Sequence, residues 1–477
     1  MSRIRGIEAK TQKNVHQISL TCKKVCNEIN KKKHEGETYS KEDAEKQQIT
    51  DLLHKLPTLD KIFEVHRKIG EGTFSSVYLG SLRRHAVLPS SERRWFAIKH
   101  LVPTAHPARI EHELRCLQDM GGKNNVIGIE LCLRHFDTIV FIMPYIPHRK
   151  FSEYVGEMDA SELRLYMRAL LVALRHVHSF GVIHRDVKPS NFLYDRENKR
   201  YLLVDFGLAQ RICLAPDEPP PPTTNKRARE ELEDDPCPGA KRMALDLTVG
   251  AKRANVSAPT PKEGGGGGGG GCSCWGVGGV CAMGGCGARA AMRAARAGTQ
   301  GFRPPEVLLK WARQGAAVDL WAAGVVLATV LANRYPFFRA TDDVSALAEV
   351  ADLLGTDALQ RTALALGRRV VTSTRRPGLC LRKLCARLRG VPVCGRGEGG
   401  EGGEGGSPGG LCAACRKPRP LCLCPDENVP ATSLDPRVSV AGFPDSAFAL
   451  AARLLEPDPA LRISADRALR HPFLADG

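Results

Sequence analysis

Two hydrophobic periods alternate along this chain. From Ile69 to Tyr78 two β-prone runs flank a glycine-rich turn. Trp95-Phe96-Ala97-Ile98-Lys99 is an apolar run ending on a lysine, and Val140-Phe141-Ile142-Met143-Pro144-Tyr145 is another that runs into a proline. Short runs bounded in this way predict strands. Elsewhere the apolar residues recur at helical spacing. Ile49, Leu52, Leu53 and Leu56 predict a short helix that ends a polar arm and packs on the domain, and Ile110 to Met120 predicts a helix carrying Glu113, Leu114 and Leu117. In Asp159 to Gly181, Asp159 and Glu162 make a capping start, Leu163, Tyr166, Met167, Leu170, Leu171, Leu174 and Val177 form one apolar face, and Gly181 stops the helix. The Val/Leu/Ala run after Asp319-Leu320-Trp321-Ala322-Ala323-Gly324 predicts a buried helix, and amphipathic helices return from Leu454 to Phe473.

The periodicity fails in two places. Residues 212–297 begin Pro-rich and pass through a glycine run at 264–271, and residues 366–427 are basic and then glycine-rich. The first composition cannot bury a core and predicts a mostly disordered insertion; the second reads as another insertion. Each contains bunched cysteines: Cys272-x-Cys274-x6-Cys281-x4-Cys286 and Cys412-x2-Cys415-x6-Cys422-x-Cys424. Four thiolates so close could each time close a tetrahedral zinc site, the alternative being unbound cysteines; Cys380, Cys385 and Cys394 read as unliganded.

Composition and charge change the picture in two ways. No leader-like pattern opens the sequence and no apolar run reaches membrane-spanning length, about 18 residues, so an intracellular protein is expected. In a reducing compartment its 17 cysteines point to metal rather than to a disulfide framework. The 477 residues carry a formal net charge of +17, and Arg361 to Cys424 alone holds 13 Lys+Arg against three Glu, or +10. Such a stretch suits an acidic partner or substrate, with a solvated basic loop and nucleic acid as the competing readings; direct nucleic-acid binding is not expected.

The chemistry gathers at His184-Arg185-Asp186-Val187-Lys188-Pro189-Ser190-Asn191, followed fourteen residues later by Asp205-Phe206-Gly207. Phosphoryl transfer needs a carboxylate for the substrate hydroxyl proton, an amide and a second carboxylate for magnesium, and a cation for phosphate charge. Asp186, Asn191, Asp205 and Lys188 answer those needs in turn; the bland reading makes both aspartates ordinary turn carboxylates. His184 and Phe206 read as packing groups. Upstream, Ile69-Gly70-Glu71-Gly72-Thr73-Phe74-Ser75-Ser76-Val77 suits a backbone that approaches phosphates closely, with Ser75 in place of a third glycine. Lys99 stands at the right distance from it to meet ATP phosphates. Glu113 is preferred over Glu111 as the carboxylate that the lysine needs, because Leu117, one turn later, would point into the core. Its helix is short and followed by Gly121-Gly122, so outside help in docking it is a further expectation. Resemblance to the nucleotide site of protein kinases implies the set Ile69, Gly70, Gly72, Val77, Ala97, Lys99, Met143, Tyr145, Asn191 and Asp205, with Met143 as gatekeeper beside a hinge whose backbone binds adenine. After the first insertion, Gly298-Thr299-Gln300-Gly301-Phe302-Arg303-Pro304-Pro305-Glu306 resembles the close of a protein kinase activation segment, and that resemblance implies that Glu306 pairs with Arg462 and that Asp319 braces the catalytic-loop backbone.

These motifs resemble those of protein kinases, and the insertion between Asp205-Phe206-Gly207 and Pro304-Pro305-Glu306 narrows the resemblance to the cell division cycle 7 kinases. The wording is close at Phe96 to Leu101, Met143-Pro144-Tyr145, His184 to Tyr194, Val204 to Gln210 and Arg382-Lys383-Leu384-Cys385, and the likeness covers Leu59 to Leu474 outside most of both insertions. It implies an α+β, bilobal protein kinase fold with two long insertions. The boundaries are an arm at 1–58, an N-lobe at 59–143, C-lobe parts at 144–211, 298–365 and 428–477, and insertions at 212–297 and 366–427. It implies a serine/threonine kinase using ATP and Mg2+, Lys188 favouring serine or threonine over tyrosine. It also implies activation by a Dbf-four-type subunit, the minichromosome maintenance helicase as substrate at acidic-flanked sites, and a place in the nucleus during DNA replication. Lys226-Arg227-Ala228-Arg229 and Lys241-Arg242 read as nuclear import signals or as solvated basic runs. The competing readings are a monomeric acidophilic casein-kinase-like enzyme and a zinc-dependent pseudokinase scaffold.

Overall fold

The computed structural model describes residues 42–72, 75–102, 107–212, 297–394, 412, 415–418, 421–425 and 430–475. They fall into two compact units, the first running to Pro107 and taking in Gly128–Tyr145, the second comprising Ala108–Ile127 and the chain from Ile146 onward. All four zinc-ligand candidates of the first insertion (Cys272, Cys274, Cys281, Cys286) and its basic clusters lie outside the described residues.

In the first unit, helices α1 (42–55) and α2 (Pro57–Ile62) precede strands β1 (Phe63–Gly72), β2 (Ser75–Leu82), β3 (Trp95–Leu101), β4 (Leu131–His135) and β5 (Thr138–Pro144). The strands form one antiparallel sheet in the order β1-β2-β3-β5-β4. Alternation along β2, β3 and β5 puts Tyr78, Phe96, Ile98, Val140 and Ile142 in one cluster, which Leu52 of α1, Leu56 between the two helices and Leu59 of α2 complete. The helix expected from Ile49, Leu52, Leu53 and Leu56 thus exists because its stripe covers this sheet. Each fully buried leucine contributes about 1.5–3 kcal/mol.

The second unit opens with α3 (Pro107–Asp119), which begins three residues before the helix expected from periodicity. The chain leaving α3 is tied down by backbone bonds: Leu203 N–H donates to the Asn125 carbonyl at 2.7 Å and Ile127 N–H to the Leu203 carbonyl at 3.0 Å. After the short α4 (Phe151–Tyr154) comes α5 (Ala160–Ser179), whose cap is as expected: the Asp159 carboxylate accepts from Glu162 N–H at 2.7 Å. Strand β6 (Val182–Ile183) pairs with β9 (Gln210–Arg211), and β7 (Phe192–Asp195) with β8 (Arg200–Leu203).

Beyond the first insertion follow α6 (Pro305–Leu308), α7 (Ala317–Ala332), α8 (Asp343–Leu354), α9 (Thr356–Ala365) and α10 (Leu381–Arg389). The small strands β10 (Val393–Cys394), β11 (Ser439–Val440) and β12 (Phe443–Pro444) come next, then α11 (Asp445–Leu454), α12 (Ala465–Leu469) and α13 (Pro472–Ala475). Helix α7 is apolar all round and is packed by α5, α10 and α11, so nearly every residue in it is buried. No helix among the described residues is long and apolar enough to cross a membrane.

Helix α10 gives part of the second insertion a fixed place. Arg382, 3% exposed, pairs with Asp445 and donates to the carbonyls of Ala431 and Ser433. Arg389 donates to the carbonyls of Leu331 at 2.7 Å and Val330 at 2.6 Å, and Arg375 forks onto Asp357. Arg382 and Arg389 are therefore spent inside the fold, whereas the Arg375–Asp357 pair lies at the surface, so the charge count of the basic stretch overstates what faces a partner.

Candidate active site

The loop after β6 carries most of the expected transfer residues, and its backbone is fixed from below. Asp319, in the first turn of α7, is fully buried and accepts from His184 N–H at 2.8 Å, Arg185 N–H at 2.7 Å and the His178 ring at 2.8 Å. Burial pushes this carboxyl up, but the His178 hydrogen bond, the neighbouring imidazoles and the His184 N–H outweigh it, and its pKa lies below the usual carboxylate value. The expected brace is thus present. His184 is buried, its ring bonded to the Val204 carbonyl at 3.0 Å and edge-on to Phe206 at 4.9 Å, which makes both packing groups.

With the backbone so held, Asp186 presents a carboxylate whose two oxygens have different partners. Oδ2 accepts from Asn191 Nδ2 at 3.0 Å and lies 2.9 Å from Lys188 Nζ. Oδ1 accepts from Thr299 twice, from N–H at 2.9 Å and from Oγ1–H at 2.6 Å; Lys188 Nζ in turn donates to Thr299 Oγ1 at 2.7 Å. Asp186, Lys188, Asn191 and Thr299 therefore form one hydrogen-bonded group in the second unit. Spacing did not single out Thr299 for this position, because it lies across the whole first insertion from its partners. Its approach depends on Gly298, where φ is +100° and an added Cβ would stand 2.7 Å from the Arg185 carbonyl oxygen.

Asn191 spends its amide nitrogen on the Asp186 carboxylate and carbonyl, each at 3.0 Å, which leaves its amide oxygen as the ligand atom. Asp205 is exposed, has φ +69° and accepts weakly from Gly207 N–H at 3.4 Å. An amide oxygen and a carboxylate are the hard donors that Mg2+ takes, so these two residues fit the ion a kinase requires. Glu113 is buried on α3, and a Cβ at Gly207 would meet its Oε2 at 3.4 Å and Asp205 Oδ1 at 3.3 Å. The glutamate expected from sequence therefore lies beside the Asp205-Phe206-Gly207 turn.

The remaining expected nucleotide residues belong to the sheet of the first unit. Gly70 pairs with Val77 across β1 and β2, and Gly72 closes the register opposite Ser75. Ala97 lies between Leu79 and Met143 on neighbouring strands, and buried Lys99 between Val77 and Phe141. Ile69 precedes Gly70 on β1, while Tyr145 follows β5 and donates its N–H to the Trp95 carbonyl at 3.2 Å.

Two further groupings anticipated from sequence are formed. Glu306 and Arg462 make a forked, fully buried pair at 2.7 and 3.0 Å, with Arg462 over the Trp321 ring. Cys412, Cys415, Cys422 and Cys424 come together, far in sequence from the transfer residues.

Comparison with known proteins agrees with this arrangement. The protein kinase domain model matches residues 63–225 and 285–474, leaving out only the middle of the first insertion. The chain is 36% identical to a Drosophila melanogaster "non-specific serine/threonine protein kinase Cdc7", over 89% of this chain and 76% of the relative. It is 31% identical to the Homo sapiens "Cell division cycle 7-related protein kinase", over 90% of this chain and 92% of the relative. The Schizosaccharomyces pombe "Cell cycle serine/threonine-protein kinase hsk1" is 30% identical over 68% of this chain and 61% of the relative. A protein kinase match over most of the chain and relatives 31–36% identical over about nine-tenths of it converge on one assignment: the chain belongs to the protein kinases, and within them to the Cdc7 serine/threonine kinases.

Proposed function

We propose that this enzyme is a partner-activated nuclear kinase that transfers the ATP γ-phosphate to acidic-flanked serines and threonines, those of the minichromosome maintenance helicase among them, at the start of DNA replication. The observation that carries the catalytic part is the closed group of Asp186, Lys188, Asn191 and Thr299. Asp186 orients the substrate hydroxyl and receives its proton, held for the purpose by Thr299 and Asn191. Lys188 offsets charge on the phosphoryl group in flight. Asn191 and Asp205 hold Mg2+, which when bound neutralises charge on the nucleotide phosphates. Ile69, Gly70, Gly72, Val77 and Ala97 receive the nucleotide, Met143 and Tyr145 the adenine end, Lys99 its phosphates, and Glu113 supplies the carboxylate that this lysine needs.

Dependence on a Dbf-four-type subunit rests on the family likeness and on a glutamate-bearing helix that ends just ahead of Gly121-Gly122. One assay tests the whole reading: phosphate transfer to an acidic serine peptide by the purified chain, with and without the candidate activator, beside Asp205→Ala. Transfer that requires the activator and disappears in Asp205→Ala is the expected result. Equal transfer without the activator would make this a monomeric acidophilic kinase, and none under any condition a scaffold.

A further inference from the structure

We propose that Cys412, Cys415, Cys422 and Cys424 hold a structural zinc ion that clamps the end of the second insertion onto the start of α10. The sulfur atoms all lie within 4.8 Å of one another, and Cys415 Sγ is 3.6 Å from Cys422 Sγ. Four sulfurs around a tetrahedral zinc, each about 2.3 Å from the metal, stand about 3.8 Å apart. A disulfide would need about 2.05 Å, and all four cysteines are free thiols. The spacing thus matches a shared metal and excludes pairing by bonds already made. The donor set is soft and without oxygen, which selects zinc over magnesium or calcium, and four thiolates leave no open position for chemistry.

The local backbone is shaped for this purpose. Cys412 N–H donates to the Lys417 carbonyl at 2.8 Å and Arg416 N–H to the Cys412 carbonyl at 2.7 Å, a tight turn in which Arg416 takes φ +54°. Cys424 N–H points at Cys422 Sγ at 3.4 Å, the kind of amide donation that supports thiolate charge. Four thiolates around one zinc make a doubly negative centre, and Arg416 and Lys417 sit inside its turn with positive charge.

The centre is also joined to the fold. Cys380 N–H, at the start of α10, donates to the Leu423 carbonyl at 2.7 Å, and Lys383 Nζ to the Cys424 carbonyl at 3.2 Å. Because α10 is itself fastened to α7 through Arg389 and to α11 through the Arg382–Asp445 pair, the metal decides where the end of the insertion is held against these helices. A glycine-rich segment without an apolar face cannot supply that folding free energy itself, whereas a zinc–tetrathiolate centre can.

The test is the metal content of the purified full-length chain and of Cys422→Ser/Cys424→Ser, with Cys272→Ser/Cys274→Ser as a control for the other cysteine cluster. The expected result is loss of one zinc equivalent per chain in the first variant and retention of that equivalent in the second. Unchanged zinc in Cys422→Ser/Cys424→Ser, or iron with sulfide in its place, would overturn the proposal. Should that variant fail to fold, thiol alkylation of the unaltered protein, read by mass spectrometry, decides the matter. Cys412, Cys415, Cys422 and Cys424 are expected to resist modification until a strong chelator is added, and reactivity indifferent to chelator would refute the metal.

Discussion

Thr299→Val isolates one hydroxyl at the centre of the site. That hydroxyl lies 2.6 Å from Asp186 Oδ1 and 2.7 Å from Lys188 Nζ, while the Thr299 N–H bond to Asp186 at 2.9 Å does not involve the side chain. Valine preserves the shape and the backbone bond, so the substitution subtracts only contacts to two charged groups. A hydrogen bond to a charged group contributes about 1.5–3 kcal/mol. If the hydroxyl fixes Asp186 and Lys188 as the phosphoryl group moves, that amount appears in the barrier and kcat falls roughly 10- to 150-fold. KM for ATP and for peptide should stay near the parent values, since neither ground-state contact is removed. Steady-state kinetics of the activated enzyme measure the effect, with Thr299→Ser as the control that restores the hydroxyl. A kcat for Thr299→Val within about twofold of the parent would refute the positioning role.

Other consequences concern stability. Removing one partner of the buried Glu306–Arg462 fork by Glu306→Ala should cost about 3–5 kcal/mol in urea denaturation, and the double variant with Arg462→Leu should cost less than the sum of the singles; strict additivity would deny the coupling. Gly298→Ala forces a side chain into φ +100° against the Arg185 carbonyl, so a stability loss of about 1–3 kcal/mol together with a fall in kcat is expected; an unchanged melting temperature would contradict the close approach. The lowered Asp319 pKa sets a sign: its contribution is complete above its unfolded pKa of about 3.9 and disappears as pH falls through the lower folded value. Asp319→Asn should therefore flatten acid denaturation below about pH 4 and lower stability at neutral pH, and an acid limb identical to that of the parent would remove Asp319 from it.

Where neighbours in sequence are neighbours in space, the chain could be read directly. Helix α5 announces its cap, its face and its end, and within the loop from His184 to Asn191 the Asn191 amide bonds the Asp186 carboxylate and carbonyl. The Glu306–Arg462 pair was within reach because both ends carry opposite charge inside recognisable segments. Thr299 was not, because its role exists only when the chain returns from the first insertion to Asp186. Helix α10 was hidden for another reason. Arg382 and Arg389 count as surface charge in any composition, yet one meets a buried carboxylate and the other the carbonyls at the end of α7, facts that only tertiary packing creates. The α3 boundary slipped because Pro107 can open a helix as its first residue, which apolar periodicity does not register.

The first insertion leaves and re-enters the fold against one short stretch, the ends of β6 and the residues that follow it. Ile212 N–H donates to the Gly181 carbonyl at 2.7 Å, just after β9 pairs with β6, and Gly298 rests on the Arg185 carbonyl. A segment whose two ends are already gathered in this way forms a closed loop, and the entropy of closing it grows only with the logarithm of its length, about 0.6 kcal/mol per doubling. Halving or doubling the insertion should thus scarcely alter folding stability. Evolution is correspondingly free to lengthen, shorten or rewrite it as a place for regulation, while the geometry around Asp186 is kept by the few residues at its root.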